Sequence, residues 1–64
     1  MVGERIEAYL NENGIKKSFL AEKVGITKQK MSRICASAKI DCILYHHICK
    51  ALNVPYETFL EGEE

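Results

Sequence analysis

The sequence predicts an all-α protein, a compact cluster of five short helices. Three observations carry that expectation. Apolar residues recur at spacings of three and four almost throughout, the period of one helix face. Helix-ending and helix-starting residues (Gly14, Gly25, Thr27, Asp41, Pro55) cut the pattern into short pieces. No stretch alternates polar and apolar residues as a half-buried strand would. Five short helices within 64 residues cannot form a long four-helix bundle, so they must cross one another.

Each element has its own warrant. Val2, Ile6, Tyr9 and Leu10 place a first helix from about Gly3 to Asn13, and Gly14 stops it. A second runs from about Lys17 to Val24, buries Leu20, Ala21 and Val24, and ends at Gly25. Ile26 then turns inward. Thr27 offers a side-chain oxygen to the free N–H groups that open a third helix. That helix reaches about Ala36, with Met31, Ile34 and Cys35 inward. Ser37 to Ile40 connects it to Asp41, another good capping residue. The fourth helix runs to about Leu52, with Cys42, Tyr45, Ile48, Cys49 and Leu52 inward. Asn53-Val54-Pro55 breaks it, and Pro55 suits the start of a short fifth helix, Tyr56 to Leu60. No linker or repeat divides the chain, so residues 1–64 are expected to form one domain.

Composition narrows the function. Apolar residues make up 47%, too many for a disordered tail. No apolar run approaches the ~20 residues of a membrane span, and Met1-Val2-Gly3-Glu4-Arg5 does not open a signal peptide. The expected location is the cytoplasm, where three cysteines, an odd number, are free thiols by default. So short a chain has little room for a substrate pocket and its supporting shell, so neither an enzyme nor a cofactor is expected. Asp41 with His46 or His47 comes with no nucleophile.

Nine basic and nine acidic side chains cancel to zero, but they are segregated. Residues 16–39 hold Lys16, Lys17, Lys23, Lys28, Lys30, Arg33 and Lys39 against Glu22 alone, a net +6. Residues 1–15 carry −2 and residues 40–64 carry −4. A basic middle between acidic ends points to an anionic partner for the middle.

The segment from Leu20 to Ile34 says which partner. Ala21 is small and lets two helices approach. Four positions later Gly25 supplies a left-handed turn, and six further on Met31 plugs the gap. A tight helix-turn-helix needs these features. At roughly 100° per residue from Met31, Gln29, Ser32 and Arg33 fall on the outward face of the third helix. Lys28 and Lys30 flank them. Such donor-rich side chains read base edges and phosphates in the major groove of double-stranded DNA.

On these residues the chain resembles the Cro/CI-like (XRE) family of bacterial and phage helix-turn-helix repressors. The resemblance spans Arg5-Ile6 to Phe59-Leu60. It is most specific at Leu20-Ala21-Glu22-Lys23-Val24-Gly25-Ile26-Thr27, at Met31-Ser32-Arg33-Ile34 and at Ile48-Cys49-Lys50-Ala51-Leu52-Asn53-Val54. It implies a lambda-repressor-like fold of five helices, with helices 2 and 3 as the DNA-binding unit and dimers on two-fold operators. By position it implies DNA contacts from Thr27, Lys28, Gln29, Ser32 and Arg33. It fits a small repressor of phage, mobile-element or toxin–antitoxin type.

Departures from the family pattern are informative. Lys16 and Lys17 stand where the family has a capping Ser or Thr followed by a phosphate-touching Gln. Lysine offers the helix N-terminus no acceptor, and a cation there costs roughly 0.3–1 kcal/mol. A DNA phosphate would turn that penalty into attraction, so Lys16 and Lys17 are expected to flank one. Cys35-Ala36-Ser37 replaces the family's Glu-Asn-Gly, which removes a phosphate-binding Asn and a turn glycine. Gln29 can pair bidentately with adenine and Arg33 with guanine. Lys28 suits base or phosphate, while Lys23, Lys30 and Lys39 suit the backbone or solvent.

Two further clusters stand out. Cys42, His46 and Cys49 share one narrow face of the fourth helix, with Cys35 nearby on the third. They could serve a metal- or thiol-responsive regulator, or else lie in the core with His46 at its edge. On the opposite face Ile43, Leu44 and His47, with Ile40, form an apolar patch surplus to one core stripe. The expected occupant is a second copy of the chain. The rival to DNA binding is a helix-turn-helix turned protein-interaction module, for which an apolar outward face would argue.

Overall fold

The computed structural model describes residues 2–60 and is helical, with no strand among them. Four α-helices follow in order: α1 Val2–Glu12, α2 Lys17–Val24, α3 Lys28–Cys35 and α4 Cys42–Leu52. A single 3₁₀ turn, Tyr56–Phe59, is the last element among the described residues and stands where a fifth helix is expected. Pro55 precedes that four-residue turn at φ −62°. The acidic Glu61, Glu63 and Glu64 lie outside the described residues.

One core joins all five elements. Ile6, Leu20, Met31 and Ile48 are fully buried, one from each α-helix. Leu10, Ala21, Cys35, Cys49 and Phe59 surround them. Burying each large aliphatic side chain contributes roughly 1.5–3 kcal/mol, so these positions set how the helices cross.

The boundaries follow local chemistry. Gly25 (φ 88°) and Asn53 (φ 59°) end α2 and α4 in the left-handed conformation. The Gly25 and Ile26 N–H groups both donate to the Ala21 carbonyl, at 2.8 and 2.9 Å. Thr27 Oγ1 accepts from the Lys30 N–H at 3.1 Å, and Asp41 Oδ2 accepts from the Leu44 N–H at 3.1 Å. Both expected caps are thus formed.

Two tertiary devices hold α1 and the 3₁₀ turn in place. Gly3 packs α1 directly on the C-terminal turn of α3. A Cβ there would fall within 3.0 Å of the Ile34, Cys35 and Ser37 carbonyl oxygens. At the 3₁₀ turn, the buried Tyr45 hydroxyl donates to the Tyr56 carbonyl and accepts from the Phe59 N–H at 3.2 Å. Its ring meets Tyr56 edge-on at 4.9 Å between centroids, and Tyr9 meets Phe59 edge-on at 5.6 Å. Burial pushes the Tyr45 phenol up to about 12.

Cys42 departs from expectation. It is exposed, whereas Cys35 and Cys49 are buried. At the first position of α4 its side chain lies beyond the end of the core stripe that Tyr45, Ile48 and Cys49 occupy. His46 is exposed too, with its ring 6.3 Å from that of Tyr56.

Candidate nucleic-acid interface

Helices α2 and α3 pack on each other through Leu20, Ala21 and Met31, each at most 2% exposed. With that face locked, the rest of α3 must look outward. Lys28, Gln29, Lys30, Ser32 and Arg33 are all exposed, and so is their capping residue Thr27. The sequence-predicted donors therefore lie on one solvent-facing surface of one helix. Lys39, in the connection to α4, is exposed as well.

The N-terminus of α2 is unusual. Lys16 occupies the capping position in an extended conformation (φ −80°, ψ 144°) and makes no side-chain cap. The neighbouring Lys17 is not left uncompensated, however. Its Nζ lies 2.8 Å from Glu7 Oε2 on α1. The Glu7 hydrogen bond raises the Lys17 pKa, so the ammonium keeps its charge. The sequence shows no sign of this pair, because its partners are ten positions apart on different helices.

After α3, Ser37 makes up for the missing turn glycine. Its hydroxyl donates to the Lys39 carbonyl at 2.7 Å and accepts from the Lys39 N–H at 3.2 Å. The chain needs no left-handed residue here, and Ala36 sits at φ −98°. Lys23, placed by sequence among the backbone or solvent lysines, has its ammonium 5.5 Å from the ring centroid of the exposed Phe19.

The patch on α4 divides. Ile43 is 64% exposed and His47 is exposed, whereas Ile40 and Leu44 are partly buried against the core. All four line one open groove of ≈ 620 Å³, together with Lys30, Arg33 and Lys39. The structure therefore makes the apolar patch continuous with the basic edge of α3.

The cysteine–histidine cluster does not assemble. Among the described residues no three of His, Cys, Asp and Glu come together as a metal-binding group. Burial raises the pKa of both Cys35 and Cys49, which keeps them as protonated thiols of low reactivity. The first helix also holds a residue that sequence reasoning passed over. Gly3 inside a helical pattern is itself a signal of close backbone approach.

No helix among the described residues is long and apolar enough to cross a membrane. No curated protein and no solved structure matches the chain. A family model described as a Cro/C1-type HTH DNA-binding domain does match, over residues 5–63. With Ala21 and Met31 buried on either side of the Gly25 turn and α3 facing outward, the chain belongs to the Cro/C1-type helix-turn-helix DNA-binding domain family.

Proposed function

We propose that residues 1–64 act as one sequence-specific DNA-binding domain, a transcriptional repressor that binds a two-fold operator as a dimer. The observation that carries this reading is the division of α3. Its apolar face is sealed by Met31, Ile34 and Cys35, and its exposed face carries only donors and polar groups. The core of a protein–protein interface is depleted in charged residues, whereas this face carries Lys28, Lys30 and Arg33.

In this reading α3 enters the major groove from its N-terminal end. Gln29 and Arg33 read base edges, Ser32 and Lys28 contact a base or phosphate, and Thr27 and Lys30 meet the backbone at the helix start. Lys16, Lys17 and Lys39 hold phosphates to either side and fix the register. Ile43 and His47, backed by Ile40 and Leu44, form the contact with a second copy. The groove joining this patch to Arg33 supports that assignment, since it puts the proposed contact on the side of the molecule that also carries the basic edge of α3. No catalytic step or cofactor enters this function, and its setting is the cytoplasm.

Selection of bound duplexes from random or genomic DNA at two salt concentrations tests the reading. The expected result is a two-fold-symmetric motif with half-sites about one helical turn apart. Arg33→Ala should relax preference at one base pair per half-site. Recovery of no motif, or equal loss of affinity for every sequence, would overturn the assignment of Arg33 to base reading. Ile43→Lys should reduce the dimeric fraction in sedimentation with operator DNA; an unchanged fraction moves the interface elsewhere.

A further inference from the structure

We infer that Glu7, a residue of α1 outside the helix-turn-helix, determines how strongly Lys17 grips DNA phosphate and so sets part of the sequence-independent affinity. The inference rests on the DNA-binding reading above. It follows from one ion pair. Lys17 opens α2 beside the uncapped Lys16, and its ammonium lies 2.8 Å from the Glu7 carboxylate. Both side chains are partly open to solvent, at 32% and 40%. A phosphate can therefore reach the ammonium, but only next to a fixed negative charge. The carboxylate opposes the phosphate and competes for the same N–H donors. Lys17 then neutralises less than one phosphate charge, and the gain from counterion release falls in proportion.

This arrangement reconciles two properties of the sequence. Lys16 and Lys17 belong to the +6 segment, which left alone would hold DNA of any sequence. Glu7 belongs to the acidic first helix, and the fold delivers its charge to this point of the basic surface. Phosphate contacts carry no base information, so damping one of them lowers affinity for all sequences alike. The base-reading side chains on α3 are untouched.

Glu7→Gln keeps an acceptor for Lys17 and removes the charge. Affinity for an operator selected as above and for a scrambled duplex should rise by the same factor, roughly two- to fivefold at low salt for a partly exposed pair. The slope of log affinity against log salt should steepen, by at most about 0.9. Glu7→Gln with Lys17→Gln should bind no more tightly than Lys17→Gln alone. Glu12→Gln removes an equal charge from the exposed side of the same helix and should change little. An equal gain from Glu12→Gln, a gain that survives loss of Lys17, or no gain from Glu7→Gln overturns the inference while leaving DNA binding intact. If neither the unmodified protein nor any variant binds DNA, the functional reading fails and the inference falls with it. Circular dichroism melts of each variant separate these outcomes from unfolding.

Discussion

The two helices of the helix-turn-helix begin in opposite ways. α3 starts at Thr27, whose side chain satisfies the Lys30 N–H. α2 starts at Lys16, which satisfies nothing, and the adjacent Lys17 is held by a carboxylate from α1. The N-terminus of α3 is thus specified locally, by the residue that precedes it and the helix's own first turn. That of α2 is specified by a residue from another helix and by the burial of Leu20 and Ala21. In the DNA-binding reading proposed above, α3 presents fixed side chains to base edges and gains from local definition. In the same reading α2 meets phosphates, which would remove the penalty of its cation pair on binding.

Four tests sharpen or break that contrast. The largest effect is expected at the far end of α3. Gly3→Ala forces a methyl against three backbone carbonyls that cannot rotate away and should cost roughly 1–3 kcal/mol in urea melts. A neutral result would mean that α1 slides freely along α3. Next comes Thr27→Ala, which should cost about 1 kcal/mol, with Thr27→Ser recovering most of it. If Thr27→Ser recovered nothing, the cap would not be the reason for the loss.

Smaller, and opposite in sign, is Lys16→Ser. It should stabilise the free protein by up to about 1 kcal/mol while flattening the salt dependence of DNA binding. A stability gain with an unchanged salt slope would leave Lys16 a surface lysine and not a phosphate contact. The fourth test is a pH scan directed at Tyr45, with Tyr45→Phe separating its share from that of the lysines that titrate in the same range. Its phenol titrates near 12 in the fold against an ordinary 10, so folding favours the protonated form. The resulting stability is whole below pH 10 and is lost as pH rises through 12. Tyr45→Phe should remove that part of the alkaline loss in chemical melts, and an undiminished loss would assign it to other groups.

Legibility followed the range of each interaction. Thr27, Asp41, Gly25 and the Met31 plug act within a few residues, and each was readable from spacing and side-chain type. Cys42 was misplaced because helical periodicity reports direction around an axis but not whether the core extends that far along it. The expected fifth helix is a 3₁₀ turn, and the hydrogen bonds that hold it come from Tyr45, eleven and fourteen residues away, which local spacing does not reveal.

The amino-acid sequence by itself determined the all-α class, the helix boundaries to within a residue or two, the helix-turn-helix and its outward donors. These rest on propensity, capping and a 3.6-residue period, all of which operate along the chain. Only the tertiary structure decided that Glu7 holds Lys17, that Gly3 seats α1 on α3, and that the apolar patch on α4 runs into the basic edge of α3. Each of those joins residues from different helices, and their meeting depends on crossing geometry that core packing sets and no local pattern records.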